Sequence, residues 1–295
     1  MKTTKAFIKS HPVLSYFVLT FAITWGTILI GVGVGPGSIL PTKEQYETLY
    51  PFLYPAMLLG PSVAGILLTG LLYGRAGFRD LLSRMRRWRV GTRWYGIALL
   101  TVPLLFTAVL LALSLSSSEF LPSIFTSDEK VTLVLMGIVV GLIVGIFEEL
   151  GWTGFAIPTL QRQGYSVLST VLIVGSLWGV WHFLVNILAT NTMSGALSVA
   201  IYLPAMLFAV LAWLTAFRVL MVWVYERTES LLVAILMHLS LTASTVVILN
   251  PLATGVALVT WTFVWAAALW AVVGAVAVAN HGHLTRQPPL RRRVA

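Results

Sequence analysis

Two adjacent carboxylates, Glu148 and Glu149, follow an apolar run at 131–147 that is long enough to cross a bilayer. An ionisable side chain at membrane depth costs on the order of 3 kcal/mol, so it usually faces a protein interior or a wet cavity and serves function. Two later apolar runs each contain one histidine, His182 and His238. Carboxylates and imidazoles are the usual general acids and bases, so these four residues form the candidate site.

The two glutamates should have different roles, because neighbouring positions on a helix diverge by about 100°. One can face a cavity and act on water as a general base, while the other makes structural hydrogen bonds to neighbouring helices. The alternative for the pair is an interhelical polar clamp without chemistry. A lone histidine on an apolar helix is likewise more often a helix–helix hydrogen bond than a catalyst.

Composition excludes a soluble enzyme. The chain of 295 residues is 58% hydrophobic and only 10% charged, with a mean hydropathy of +0.91. Soluble domains carry about 25% charged residues, so the composition indicates a polytopic membrane protein. The absence of cysteine rules out disulfides, a thiolate nucleophile and Cys-ligated zinc, and any metal would have to be bound by His and carboxylate.

Apolar runs predict an all-α bundle of about eight transmembrane helices. They lie at 13–33, 52–73, 94–115, 131–150, 166–189, 198–223, 231–249 and 255–279. We predict one integral-membrane domain over 1–280, with a motif-bearing core at about 131–249 and a basic cytoplasmic tail at 281–295. A site in such a bundle must be built from facing helices.

The distribution of basic residues predicts that both termini are cytoplasmic. Lysines and arginines collect in alternate loops, and the opposite side holds only Lys43 and Lys130. This topology accounts for most of the net charge of +9, so no nucleic-acid partner is needed to explain it. Arg218 lies within the sixth span, where we expect it to snorkel to the cytoplasmic surface; pairing with a glutamate is the alternative.

Three segments resemble the CPBP intramembrane proteases, the group of type II CAAX prenyl endopeptidases and bacteriocin-processing, Abi-like proteins. The signature of that group is EExxxR, FxxxH and HxxxN on successive membrane helices. Here the first segment reads Glu-Glu-Leu-Gly-Trp from Glu148, and the second reads Leu-Trp-x-x-Trp-His and ends at His182. The third starts at His238, and the resemblance covers roughly 132–242.

The resemblance implies a multi-pass protein of the plasma membrane that acts on a peptide or protein substrate, lipidated or not. Glu148 and His182 would activate a water, His238 and Thr242 would bind the developing oxyanion, and Glu149 would support the first glutamate. Glu148, His182 and His238 are also plausible ligands of a divalent metal such as zinc, with an open water position. A metal-free glutamate mechanism is equally compatible with these residues.

The chain departs from the signature at three positions. Thr153 stands where the signature has arginine, Trp178 where it has phenylalanine, and Thr242 where it has asparagine. We therefore carry two functions forward. The first is an intramembrane endopeptidase that cleaves near the cytoplasmic face, and the alternative is a catalytically silent member with a binding, immunity or regulatory role. A proton-coupled transporter is a weaker third option, because the sequence shows no inverted repeat.

Overall fold

The structure, a computed structural model, describes residues 2–32 and 40–281. It is 85% helical, and no strand occurs in those two ranges. Eight helices are long and apolar enough to span a membrane, which confirms the predicted all-α multi-pass membrane protein. These spans are Pro12–Gly31, Lys43–Met85, Thr92–Ser114, Lys130–Arg162, Val167–Leu188, Val199–Thr228, Leu231–Ile248 and Gly255–Ala279. The cytoplasmic placement of both termini stays a prediction. Of the predicted tail at 281–295, residues 282–295 lie outside the part of the chain that the structure describes.

Thirteen α-helices are present in the part of the chain that the structure describes. They are α1 (Lys2–Ser10), α2 (Pro12–Val32), α3 (Lys43–Met85), α4 (Thr92–Ser114), α5 (Ser123–Thr126), α6 (Lys130–Gly151), α7 (Ile157–Arg162), α8 (Val167–Trp181), α9 (Phe183–Leu188), α10 (Thr190–Met193), α11 (Val199–Thr228), α12 (Leu231–Thr242) and α13 (Gly255–Ala279). π-Helical segments follow α6 at Trp152–Ala156 and α12 at Ala243–Ile248.

Helix α3 is longer than the apolar run that predicted it. It continues past 73 to Met85, with a break at Gly74, whose φ of 56° and ψ of −143° are not helical. Arg75, Arg79 and Arg84 follow the predicted span at 52–73 and lie on a helical extension beyond this break. Glycine suits the break because a positive φ carries no steric penalty without a Cβ atom.

Helix α6 packs closely against α12 along three glycines spaced four residues apart. A Cβ atom at Gly141 would lie 2.6 Å from the Leu239 carbonyl oxygen, and one at Gly145 would lie 2.8 Å from that of Ile235. At Gly137 it would meet the side chain of Ile248 at 2.6 Å, just beyond α12. Small residues let membrane helices approach at backbone distance. The contact brings the end of α6, which carries the glutamates, alongside the histidine of α12.

Helix α8 packs against α11 in the same way. A Cβ atom at Gly175 would lie 3.0 Å from the Cα atom of Thr215, and one at Gly179 would lie 2.9 Å from that of Leu211. Four-residue spacing places both glycines on one face of α8. The two close helix pairs, α6 with α12 and α8 with α11, set the positions of the residues in the site.

Candidate active site

Glu149 is the most completely bonded residue of the candidate site. Arg218 donates from Nη1 to Oε2 at 2.9 Å and from Nη2 to Oε1 at 3.1 Å. The Nδ1 atom of His238 lies 2.7 Å from Oε1, and the hydroxyl of Thr153 donates to Oε2. The side chains of Glu149 and Arg218 are both 0% exposed. The carboxylate thus connects α6 to α11 and α12 and has no exposed surface for a substrate.

The expectation that Arg218 snorkels to the cytoplasmic surface is wrong. Its guanidinium instead forms a bidentate ion pair with Glu149, and its Cζ atom lies 4.2 Å from the centre of the Trp178 ring. A snorkelling arginine extends its guanidinium to the hydrated membrane surface. Here the Glu149 carboxylate is within reach and compensates the guanidinium charge inside the bundle. The sequence did contain a signal for this contact, since a charged residue inside a span usually faces the interior of the bundle.

Glu148 has a different environment from that of its neighbour. Its Oε2 atom accepts hydrogen bonds from the indole nitrogens of Trp152 at 3.1 Å and Trp178 at 2.8 Å. The Nε2 atom of His238 lies 4.0 Å from the same oxygen. Among the described residues, no hydrogen bond reaches Oε1, and Glu148 is 4% exposed. One oxygen is therefore fixed by two neutral donors, and the other is left for a ligand.

His182 lies at a break between α8 and α9 that the sequence did not predict. Its Nδ1 atom is 2.8 Å from the Trp178 carbonyl oxygen, and its own carbonyl accepts from Asn186 Nδ2 at 2.9 Å. Because a carbonyl only accepts, Nδ1 carries the proton in this bond and Nε2 has the free lone pair. The ring is half-buried and packs edge-on against Trp181, with ring centres 4.8 Å apart.

Trp178 connects the two histidines to Glu148. Its ring centre lies 5.7 Å from that of His182 and 5.3 Å from that of His238, and its nitrogen donates to Glu148. Sequence reasoning treated this residue as an aromatic replacement for phenylalanine. A phenylalanine would keep the ring contacts but has no N–H group for the carboxylate.

Replacing Trp178 with phenylalanine is expected to lower kcat by about 10- to 100-fold, because a hydrogen bond to a charged group contributes about 1.5–3 kcal/mol. Trp181→Phe is the matched control, since its indole nitrogen is buried and has no hydrogen-bond partner within residues 2–32 and 40–281. The measurement is the rate of peptide cleavage by the two purified variants. Equal losses in both would show that ring volume, rather than the N–H group of Trp178, is what matters.

His238 and Thr242 lie one helical turn apart on α12, and both are buried. His238 joins the two glutamates, since its two nitrogens face Glu149 and Glu148 respectively. Within the described residues, the hydroxyl of Thr242 joins none of the hydrogen bonds that connect the glutamates, His238 and Arg218. The structure thus brings Glu148, Glu149 and His238 together directly and adds His182 through Trp178.

Arg84 is a further residue next to the candidate site, and it was not among the site residues predicted from the sequence. It donates from Nη1 to the carbonyl oxygen of Thr153 at 3.4 Å and from Nη2 to that of Gly154 at 2.9 Å. Its remaining hydrogen bonds go to Tyr225 at 3.0 Å and to Asp80 at 3.0 Å. The helical extension of α3 therefore holds the π-helical segment directly after the glutamates.

A metal centre would need several of these donors to face one point. In residues 2–32 and 40–281, no group of three His, Asp or Glu side chains is arranged to hold a metal ion. The described side chains are thus not arranged as a three-ligand zinc site, and we assign no step to a metal. The hydrogen bonds from Nδ1 of His182 and His238 to protein acceptors leave both Nε2 atoms as possible ligands. Metal dependence stays a prediction for a chelator assay.

Two comparisons show which known proteins are similar to this chain. Residues 130–244 match the family described as Type II CAAX prenyl endopeptidase Rce1-like, and this stretch includes the glutamates, both histidines and Thr242. The protein named CAAX prenyl protease 2 from Methanococcus maripaludis is 28% identical over 191 residues. The aligned stretch is 59% of this chain and 62% of that relative, so the chain spans less than two thirds of the relative's length. These two matches support placing residues 130–244 with the type II CAAX prenyl endopeptidases of the CPBP family.

Proposed function

We propose that the chain is an intramembrane endopeptidase in which Glu148 is the general base. The observation that carries the proposal is the unequal bonding of the glutamates. Glu149 is saturated by a cation and two further partners, whereas Glu148 keeps one oxygen without a partner among the described residues. A general base needs such a free oxygen within reach of the proton that it removes.

The residues support a hydrolytic step as follows. A water held by Glu148 Oε1 and His182 Nε2 attacks the carbonyl carbon of the peptide bond, and Glu148 takes its proton. The C–N bond then breaks as that proton passes to the leaving amine, giving a carboxylic acid and an amine. By the family resemblance, His238 and the Thr242 hydroxyl bind the oxyanion that forms in between. Because Nδ1–H of His238 donates to Glu149, Nε2 can donate to the oxyanion only when the ring carries both protons.

The substrate that fits this proposal is a peptide or protein segment at the membrane, lipidated or not, cleaved near the cytoplasmic face of the plasma membrane. The family match supports a protein substrate at the membrane. Lipidation, the particular membrane and the bond cleaved are part of the proposal.

The test is cleavage of a fluorogenic library of lipidated and unlipidated membrane-proximal peptides by the detergent-purified protein. Glu148→Gln keeps an oxygen that accepts from both indoles, so it should stay folded and lose about 10²- to 10⁴-fold in rate. Glu119→Gln makes the same change at an exposed glutamate and should retain full activity.

The outcomes separate the alternatives. Wild-type turnover by Glu148→Gln would contradict the assigned base. Absence of cleavage by the wild type across the library would favour the silent binding or immunity protein. Loss of cleavage with a chelator, restored by zinc, would establish metal dependence.

A further inference from the structure

Arg218 is a buried cation whose described contacts all lie within the candidate site. It binds both carboxylate oxygens of Glu149, at 2.9 and 3.1 Å, and donates to the Thr153 hydroxyl at 3.4 Å. Its Cζ atom lies 4.2 Å from the centre of the Trp178 ring. Its side chain is 0% exposed, so Glu149 is the charged group that compensates the guanidinium. Its geometry is therefore set by these partners.

Two chains of contacts lead from Arg218 to the proposed base. The first passes through Glu149, which binds His238 Nδ1 at 2.7 Å and so directs the opposite ring nitrogen towards Glu148 at 4.0 Å. The second passes through Trp178, whose ring lies against the guanidinium and whose nitrogen donates to Glu148 at 2.8 Å. A change in Arg218 would therefore disturb Glu148 from two sides.

Thr153 explains why there is space for this cation beside Glu149. It lies one helical turn after Glu149, its hydroxyl donates to that carboxylate, and it accepts a hydrogen bond from Arg218. The side chain is short, so the guanidinium reaches the carboxylate past it. On the other side, a Cβ atom at Gly175 would lie 3.2 Å from Arg218 Cβ, so the glycine leaves room for the arginine stem.

We propose that Arg218 is a positioning residue for Glu148 and supplies from α11 the positive charge that the family signature carries at position 153. This inference rests on the proposed function, because it assigns Arg218 a role in the same hydrolytic site. Arg218 does not touch the substrate. It acts through Glu149 and Trp178, which it keeps in the orientation that presents Glu148 Oε1 to water.

The test moves the positive charge from position 218 on α11 to position 153 in the π-helical segment after α6. Arg218→Ala removes the cation and opens space next to Thr153. Arg218→Ala combined with Thr153→Arg returns a guanidinium to that space, and Arg218→Ala combined with Thr153→Met returns similar bulk without charge. Arg75→Ala, on the exposed surface of α3, controls for loss of an arginine elsewhere. Peptide cleavage gives kcat and KM separately, and thermal unfolding is measured on the same preparations.

We expect Arg218→Ala to lower kcat by about 100-fold or more, because it leaves Glu149 buried without its cation. KM should change far less, since no substrate contact is lost. The added Thr153→Arg should recover at least about 10-fold in kcat and raise the unfolding temperature, whereas Thr153→Met should not recover kcat. The proposal is overturned if Arg218→Ala cleaves at the wild-type rate, or if methionine at 153 rescues as well as arginine.

Two further measurements cover the cases in which the alanine variants do not fold or the wild type cleaves no peptide. If the alanine variants do not fold, Arg218→Lys should retain kcat within about 10-fold while Arg218→Met should not; equal rates would count against the charge. If the wild type cleaves no peptide, the proposed function fails. Whether a guanidinium at position 153 can replace Arg218 is then decided from the unfolding temperature alone. Thr153→Arg must raise the unfolding temperature of Arg218→Ala, and Thr153→Met must not.

Discussion

Glu149→Gln is expected to destabilise the protein by about 3–5 kcal/mol, because it leaves Arg218 buried without a compensating charge. The amide keeps the shape of the side chain, so the loss reports the charge rather than a cavity. Arg218→Met should lower the stability by a similar amount, since it leaves the buried Glu149 carboxylate without its cation. The measurement is unfolding in detergent, with Glu119→Gln as the control at an exposed position.

The double variant Glu149→Gln, Arg218→Met separates stability from catalysis. Replacing a whole buried ion pair by neutral side chains of similar volume is often neutral or stabilising. We therefore expect the double variant to regain most of the lost stability while peptide cleavage stays impaired, because His238 has lost its charged partner. Additive losses of stability in the double variant would show that the two side chains do not act as an ion pair.

His182 and His238 should respond differently to the same substitution. His182→Ala is expected to lower kcat by about 10²- to 10⁴-fold with little change in unfolding, because its ring hydrogen bond goes to a carbonyl one turn earlier in its own helix. His238→Ala should lower both activity and stability, since it removes a buried partner of Glu149.

The test measures cleavage and thermal unfolding of the two histidine variants side by side. A fully active His182→Ala would remove His182 from the mechanism. An early unfolding transition in that variant would instead assign His182 to the packing of the α8–α9 break. Either result would leave the role of His238 unaffected, because the two rings do not share a hydrogen-bond partner.

Hydrophobic run length was sufficient to predict the eight spans, since a bilayer sets a nearly fixed length of apolar helix. It was insufficient wherever a helix continues into polar sequence, as α3 does beyond Gly74. The break at His182 was also missed, because the neighbouring residues Trp181 and Phe183 include neither glycine nor proline. Local sequence gives no signal when tertiary packing interrupts a helix.

The candidate site residues could be named from their types, because Glu148, Glu149 and the histidines stand out against an apolar background. Their partners could not be found in this way. The choice between snorkelling and pairing for Arg218 depends on which helices face each other, and 69 residues separate it from Glu149. The donation from Trp178 to Glu148 depends on a side-chain rotamer, which sequence does not specify.

The ion pair between α6 and α11 also constrains how the protein is made. Ribosomes deliver helices in chain order, so Glu149 enters the membrane before the ribosome has synthesised Arg218. A carboxylate in that position makes insertion less favourable by about 2.5–3.5 kcal/mol on translocon scales. An 18-residue window of the same span, Lys130–Arg162, has a mean hydropathy of 2.5, which offsets this cost. Until α11 is made, α6 must therefore be accommodated in the membrane by its apolar residues, and Arg218 then supplies the cation that pairs with Glu149.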